Sequence, residues 1–267
     1  MPVVALFGIS AVFHYLGPAF AVLLFAHVSA AGVAWLRIAS AAVVFALWRR
    51  PWPLLTSPTM LALGAVLAVM NTVFYLAIAR LPLATVGAIE FLGTVVLAAA
   101  GVRTGRNAVA LALAVGGVAI LTDVRIVDSP WGFALAFANC VLFMAYVVLG
   151  HKVANAEGID ALAAAMIVAA VVATPFGIGP AAVAFTHPGW LAAGIAVGLC
   201  SSVIPYVADQ LAMARVRRAT FALMLSLLPA MATVIGLVVL GQQPSAAEVA
   251  GIALVIAGVA LHRQKES

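Results

Sequence analysis

The feature that most constrains this chain is a series of apolar runs, each about as long as a membrane-spanning helix. A helix needs about 20 mostly apolar residues to cross the hydrocarbon of a bilayer. Such runs lie near residues 3–25, 30–48, 58–79, 83–101, 107–123, 130–150, 159–177, 189–212, 219–240 and 245–262. The breaks between them are short and carry prolines or charges. The sequence therefore predicts ten transmembrane helices and no soluble domain.

Composition also indicates that lipid is the solvent for most of the chain. Of the 267 residues, 66% are hydrophobic and 8% are charged, whereas a soluble domain carries about 25% charged residues. A single aqueous domain of this size would need a largely polar surface, which this composition cannot supply. We therefore expect an all-α integral membrane protein.

Basic residues are distributed unevenly over the predicted loops. Ten of the 13 lysines and arginines lie in the even-numbered loops or the C-terminal tail, whereas Arg80 and Arg125 lie in odd-numbered loops. Cytoplasmic loops of membrane proteins are enriched in Lys and Arg. Both termini are therefore expected to face the cytoplasm. The same asymmetry explains the net charge of +5, so no nucleic-acid partner is needed.

Short sequence words recur between the two halves of the chain. Residues 76–80 read LAIAR, and residues 211–215 read LAMAR, 135 positions later. A second word, GVA, occurs at 117–119 and again at 258–260. Together the words align the third span with the eighth and the fifth with the tenth.

The aligned unit is thus five helices long, with residues 1–125 as the first repeat and 126–267 as the second. An odd number of crossings forces the second repeat to enter the membrane in the opposite orientation. Many secondary transporters are built from such inverted repeats, with a substrate site near the midplane. We therefore expect a transporter, with gene duplication in a mere scaffold as the alternative.

Ionisable residues inside the spans are candidates for the binding site, because a charge in hydrocarbon costs at least ~2.5 kcal/mol on insertion scales. Glu90 lies seven residues into the fourth span, roughly 10 Å below the periplasmic end at the helical rise of about 1.5 Å per residue. Arg37 lies seven residues into the second span, which runs the same way. We expect the two to share a polar cavity, with an ion pair as one option and a purely structural role as the alternative.

Uncharged polar residues complete the set of candidates. His14, near the middle of the first span, could bind substrate or carry a proton, or could be packed against a backbone carbonyl. Asn71 and Tyr75 are four apart on the third span and so share a helix face; they could bind a ligand or hold helices together. Tyr146 and Ser226 are the remaining candidates.

The second half adds one acid and two prolines inside its spans. Asp209 lies close to the cytoplasmic end of the eighth span and to the basic loop at 215–218, so we interpret it as part of an interfacial charge pair. Pro205 and Pro229 free backbone carbonyls, which is tolerated where helices line a cavity. Helix kinking alone is the alternative explanation for the prolines.

Several motifs are shared with one known family. In the first half they are Met70-Asn71, Phe74-Tyr75-Leu76, Leu81-Pro82-Leu83 and Glu90-Phe91. In the second half they are Gly132, Ala134-Leu135-Ala136, Tyr146, Ala156-Glu157-Gly158, Pro205-Tyr206, Thr220-Phe221, Leu223-Met224, Ser226 and Pro229-Ala230. With these residues the chain resembles the drug/metabolite transporter superfamily, in particular its EamA-type members, and most closely the threonine/homoserine exporter group.

The resemblance implies a secondary active exporter of amino acids such as threonine or homoserine, working by alternating access and coupled to protons. It implies a location in the bacterial inner membrane, a small-molecule substrate, and neither enzymatic activity nor a cofactor. It leaves the oligomeric state open, and a homodimer is one possibility. Leu228 and Gln242 stand where the exporter group tends to carry glutamates. These departures leave the substrate and the coupling ion open.

Three other interpretations remain open from the sequence. The same fold could export another metabolite or a drug-like compound, or the chain could be a non-transporting partner subunit. A membrane-embedded lipid enzyme would need clustered catalytic groups or metal ligands. The five histidines are predicted at different depths in the membrane and form no such cluster, which disfavours the enzyme. They are His14, His27, His151, His187 and His262. Cys140 and Cys200 lie in apolar runs and predict neither a disulfide nor a metal site.

Overall fold

The structure is a computed structural model that describes residues 2–99, 105–123, 129–154, 157–216, 221, 225 and 228–261. Its helices are α1 (Val3–Leu24), α2 (Ala30–Arg49), α3 (Pro58–Ile78), α4 (Leu83–Ala99), α5 (Gly105–Asp123), α6 (Pro130–Ala154), α7 (Gly158–Phe185), α8 (Pro188–Met213), α9 (Leu228–Leu240) and α10 (Ala246–Leu261). A 3₁₀ turn at Trp52–Leu54 lies between α2 and α3. A π-helical turn at Leu199–Val203 interrupts α8.

The lengths and compositions of these helices confirm the expected all-α membrane class. Within the described residues, α1, α2, α3, α6, α7 and α8 are each long and apolar enough to cross a membrane. Helices α4, α5, α9 and α10 contribute shorter apolar segments. The number of crossings in the whole chain stays a prediction.

Helix α7 is longer than the sequence predicts. It continues to Phe185 instead of ending near residue 177, although it contains Pro175 and Pro180. The predicted span, 159–177, includes Pro175 but ends before Pro180. Neighbouring helices in a membrane protein can satisfy the backbone groups that a proline frees. The extension lets α7 contact α2 along much of its length.

Small residues bring α2 and α7 into close contact. A Cβ atom added at Gly32 would lie 2.6 Å from the carbonyl oxygen of Pro180, and one at Gly177 would lie 2.3 Å from the Cβ of Trp35. Trp35 also donates a hydrogen bond from Nε1 to Oγ1 of Thr174, at 2.9 Å. In lipid, packing of this kind and interhelical hydrogen bonds replace the hydrophobic effect as the main attraction between helices.

The helix contacts follow a reciprocal pattern between the first five helices and the last five. Helix α1 packs against α8 and α9, and α6 packs against α3 and α4. Helix α2 packs against α7 and α8, and α7 packs against α2 and α3. Direct pairs join α4 with α9 and α5 with α10. As a result, α1, α2, α3, α4, α6 and α8 converge at the centre of the bundle.

Candidate functional site in the bundle centre

A small polar cavity lies where the central helices converge. Its lining residues are His14, Arg37, Met70, Asn71, Phe74, Glu90, Asn139 and Tyr206. The cavity volume is about 10 Å³, which is room for about one water molecule. The structure therefore shows the site closed around its own side chains, with too little space for an amino acid.

Glu90 is the acidic member of this site and is 3% exposed. Its Oε1 accepts a hydrogen bond from Nδ2 of Asn139 at 2.9 Å, and its Oε2 accepts one from the hydroxyl of Tyr15 at 3.2 Å. Nε2 of His14 lies 3.8 Å from the same Oε2. Both carboxylate oxygens thus accept hydrogen bonds from uncharged donors, and an imidazole lies near one of them.

Arg37 is the basic member of the site and is 4% exposed. Its Nε donates to the hydroxyl of Ser202 at 2.8 Å, and its Nη2 donates to the carbonyl oxygen of Ser201 at 2.8 Å and to the hydroxyl of Tyr206 at 3.3 Å. The guanidinium also lies 5.1 Å from the ring centroid of Tyr75. These partners are all uncharged, so they position the guanidinium without neutralising it.

The local structure of α8 explains how Arg37 finds an acceptor inside a helix bundle. Pro205 has no backbone N–H, so it cannot donate to the carbonyl oxygen of Ser201 four residues earlier. That freed oxygen accepts the hydrogen bond from Arg37. This contact is consistent with the expectation that Pro205 frees a carbonyl at a cavity, and the adjoining π-helical turn, which contains Ser201 and Ser202, contacts Arg37.

Asn71 and Tyr75 extend the polar network from α3. The hydroxyl of Tyr206 donates to Oδ1 of Asn71 at 3.0 Å, and the hydroxyl of Tyr75 lies 3.3 Å from Oγ of Ser201. Nδ2 of Asn71 donates to the carbonyl oxygen of Leu67 on its own helix at 2.7 Å. The shared face predicted for Asn71 and Tyr75 thus points toward α8.

Of the sequence expectations for the charged residues, one option is not realised and one interpretation is wrong. Glu90 and Arg37 line one cavity, as predicted, but they do not form an ion pair with each other; Glu90 is near His14 instead. Asp209 is 2% exposed and accepts a hydrogen bond from the hydroxyl of Ser10. It is therefore a buried residue rather than part of an interfacial charge pair, because its side chain faces Ser10 on α1.

The remaining candidates have different positions. Tyr146 is fully buried on α6, beside the ring of Tyr206 at a centroid distance of 5.4 Å, and faces Asp209. Ser226 lies outside the described residues. Asn139 is not among the candidates from the sequence, although an asparagine in the middle of an apolar run was a signal for it.

A second, larger cavity of about 210 Å³ lies at the ends of α4, α9 and α10. Gln242 lines it and accepts a hydrogen bond from the backbone N–H of Leu83 at 3.2 Å. Glu248, also in its lining, caps α10 by accepting from the backbone N–H of Ser245 at 2.8 Å. Such caps satisfy helix N-termini, so an amide at Gln242 can fill this structural role without a charge.

Close packing at Gly17 gives a testable prediction about this site. A Cβ atom at Gly17 would lie 2.8 Å from the backbone nitrogen of Ser201, so valine at this position would displace the π-helical turn that holds Arg37. Overpacking of this kind costs about 1–3 kcal/mol. We expect Gly17→Val to lower the thermal unfolding temperature and to reduce transport. Gly8→Val on the same helix is the matched control, because a Cβ at Gly8 meets nothing within 4 Å; equal effects of the two changes would contradict the proposed packing.

Comparisons with known proteins identify the family of this chain. The sequence profile of the EamA-like transporter family matches residues 130–263. The chain is 31% identical over 262 residues to the threonine/homoserine exporter RhtA of Escherichia coli K12, covering 94% of this chain and 88% of that protein. The chain belongs to the EamA-like transporter family.

Other similarities extend over most of this EamA-like chain. The threonine/homoserine exporter RhtA of Salmonella typhimurium SL1344 is 30% identical over 249 residues, covering 90% of this chain and 84% of that protein. A crystal structure of another protein superposes with a TM-score of 0.62 over 97% of both chains at 17% identity, a likeness that concerns the fold alone. The resemblance drawn from the sequence motifs is thus confirmed. The chain is a multi-pass membrane protein of a family of small-molecule transporters.

Proposed function

We propose that this EamA-like protein is a secondary active exporter of small zwitterionic amino acids, of which threonine and homoserine are the best candidates. The relatives described above are named threonine/homoserine exporters. The observation that carries the proposal is the presence of one buried acid, Glu90, and one buried base, Arg37, in the lining of a single cavity. An amino acid offers one charge of the opposite sign to each of them.

Glu90 and its neighbours form the binding position for the substrate ammonium. The carboxylate supplies the negative charge, and Oδ1 of Asn139 is fully buried without a hydrogen-bond partner among the described residues. A buried acceptor without a donor is costly. The ammonium would satisfy this acceptor and, at the same time, neutralise Glu90.

Arg37 forms the binding position for the substrate carboxylate. No carboxylate lies within ion-pair distance of Arg37 in the part of the chain that the structure describes. Buried arginines are normally paired with an anion or with backbone carbonyls, and a guanidinium matches a carboxylate by parallel hydrogen bonds. Arg37 is held by uncharged groups and so keeps its full charge for the substrate.

The closed site requires a conformational change before it can accept substrate. A volume of about 10 Å³ excludes any amino acid, so the helices around the cavity must move apart on one side of the membrane and then on the other. Inverted repeats provide two such related states by exchanging the conformations of the two halves. We infer that residues 1–125 and 126–267 are these repeats, giving ten transmembrane helices.

Two observations support the repeat relation. The reciprocal helix contacts are those expected when the first five helices are exchanged with the last five. In addition, the offset of 135 that aligns the LAIAR and LAMAR words also aligns Asn71 with Tyr206, and these two side chains are hydrogen-bonded to each other. A residue can contact its counterpart in the other repeat only near the pseudo-twofold axis that relates the two repeats. In the proposed arrangement this axis passes through the cavity.

The orientation follows from the distribution of charge. Both termini face the cytoplasm of a bacterial inner membrane, since the Lys- and Arg-rich loops lie on that side. Export against a gradient is then driven by protons that move inward as substrate moves outward, with Glu90 holding either a proton or the substrate ammonium.

Overproduction in bacterial cells tests the proposed activity. Threonine, homoserine and a panel of other metabolites are measured inside and outside cells that carry the gene or an empty vector. We expect a selective rise of external threonine or homoserine. A rise of unrelated compounds alone, or no change in any amino acid, would contradict the proposal.

A further inference from the structure

Asp209 is a second buried carboxylate that substrate binding at Glu90 and Arg37 does not use. It is 2% exposed, and its Oδ1 accepts a hydrogen bond from the hydroxyl of Ser10 on α1. Tyr146 on α6 also faces it. A buried acid in a membrane bundle costs several kcal/mol unless it has a partner or a function.

His14 connects this second acid with the substrate site. It lies on α1 four residues after Ser10, so both side chains project from the same face of that helix. Nε2 of His14 is 3.8 Å from Oε2 of Glu90, and the ring also interacts electrostatically with Asp209. One face of α1 thus contacts both buried carboxylates, Glu90 through His14 and Asp209 through Ser10.

The three groups are arranged along the direction of transport. Glu90 lies seven residues after the start of α4, and Asp209 lies four residues before the end of α8. At the rise of a helix, Glu90 is roughly 10 Å and Asp209 roughly 6 Å from these helix ends. These two helix ends lie on opposite membrane faces in the proposed orientation. His14 is near the middle of α1, so it occupies an intermediate depth.

We propose that Asp209 is a proton-binding site that receives the proton of Glu90 through His14 and releases it toward the cytoplasm. This inference rests on the proposed function, because it assigns the cytoplasmic half of the proton path to an exporter. When substrate binds, its ammonium takes the place of the proton on Glu90. The displaced proton moves to the imidazole of His14, which becomes an imidazolium, and then to the carboxylate of Asp209, which becomes a neutral acid.

Asp209 then releases the proton to the cytoplasm, so His14 and Asp209 return to the states in which they began, while Glu90 is left as a carboxylate paired with the substrate ammonium. The distance of 3.8 Å between His14 and Glu90 is longer than a direct hydrogen bond. The first transfer therefore needs a small approach of the side chains or a water molecule, for which the cavity has room.

The surroundings of Asp209 are consistent with proton release on that side. The next residue, Gln210, is 1% exposed, and neither polar atom of its amide has a hydrogen-bond partner among the described side chains and backbone. Buried amides of this kind are usually satisfied by water. A water at Gln210 would lie on the cytoplasmic side of the path.

Among the described residues, the groups that face Asp209 are Ser10 and His14 from α1 and Tyr146 from α6. Tyr206, on the same helix as Asp209, also interacts with it electrostatically.

Two assays on the same proteoliposomes separate proton coupling from substrate transport. The first measures exchange of labelled threonine for unlabelled threonine at equal pH, which needs no net proton movement. The second measures accumulation of threonine driven by a pH gradient. The variants are Asp209→Asn and, as a matched control, Asp160→Asn. The side chain of Asp160 forms an exposed ion pair with Arg49, and such pairs contribute little to stability.

We expect Asp209→Asn to keep exchange within about twofold of the wild type and to reduce gradient-driven accumulation by about tenfold or more. Such a result would show that the coupling between proton and substrate is lost while substrate transport remains. Asp160→Asn should change neither. If wild-type protein exchanges no amino acid, the proposed function fails. If the wild type is active and Asp209→Asn still accumulates threonine, or if folded Asp209→Asn loses both activities, the proton-binding role of Asp209 is contradicted.

A second variant keeps the test decisive if Asp209→Asn does not fold. Ser10→Ala retains the carboxylate but removes its donated hydrogen bond, and a hydrogen bond to a carboxylate favours its charged form. The variant should therefore shift the pH of half-maximal accumulation upward by about one unit, with exchange at equal pH unchanged. An unchanged pH profile would overturn the proposal.

Discussion

Replacing Glu90 with glutamine should reduce threonine exchange by about 100-fold or more. The amide of glutamine keeps the size of the side chain and can still bond with Asn139 and Tyr15, but it offers no charge to the substrate ammonium. Removing one partner of a buried charge pair costs about 2–5 kcal/mol, and each 1.4 kcal/mol is a factor of about ten in affinity. The measurement is exchange of labelled threonine in proteoliposomes over a range of pH.

Glu157→Gln is the matched control for this change, because Glu157 is an exposed carboxylate at the start of α7. It should leave exchange unchanged. Full activity of Glu90→Gln at every pH would remove Glu90 from the mechanism, and with it the proposed site for the ammonium.

Replacing Arg37 with methionine should produce a loss of similar size and should also destabilise the protein. Methionine has a comparable length but donates no hydrogen bond, so it leaves Ser202 and the carbonyl oxygen of Ser201 without their partner. Each buried polar group without a partner costs about 1–3 kcal/mol. The expected results are a lower thermal unfolding temperature and a threonine exchange rate reduced by about 100-fold.

Two further variants separate the charge of Arg37 from its geometry. Arg37→Lys keeps the charge but lacks the planar fork that binds a carboxylate, so it should recover stability better than transport. Arg49→Met is the control, since Arg49 takes part in an exposed ion pair with Asp160 and such pairs contribute about 0–1 kcal/mol. Normal threonine exchange in Arg37→Met would contradict the assignment of Arg37 to the substrate carboxylate.

The positions of the helices could be predicted from the sequence because apolar length alone determines where a membrane helix forms. Nearly all predicted runs begin within a few residues of a described helix, as at Pro58, Pro130 and Pro188. The run predicted at 219–240 is described as a helix from Leu228 onward. The end of α7 could not be predicted, because whether a proline breaks a membrane helix depends on neighbours that the sequence does not identify. The π-helical turn in α8 had no sequence signal beyond Pro205.

The central residues of the site could also be predicted, because a charge or an amide inside an apolar run is rare and costly. That reasoning identified Glu90, Arg37, His14 and Asn71. It could not tell which side chains touch each other, because rotation of each helix about its axis depends on packing.

For the same reason an ion pair between Glu90 and Arg37 was one option from the sequence, whereas the structure places His14 near Glu90. Asp209 was assigned to the interface but is buried, and Asn139 was not among the candidates. Distance from a helix end indicates depth in the membrane, but it does not indicate the direction in which a side chain points.

The most direct test of the central claim is competition by substrate analogues that lack one charge. Proteoliposomes that contain the wild-type protein exchange labelled threonine in the presence of unlabelled L-threonine, threonine amide or 3-hydroxybutyrate. Threonine amide lacks the carboxylate that Arg37 would bind, and 3-hydroxybutyrate lacks the ammonium that Glu90 would bind. We predict that L-threonine competes and that both analogues compete about 100-fold more weakly. Equal competition by either analogue would show that the cavity does not bind a zwitterion between Glu90 and Arg37.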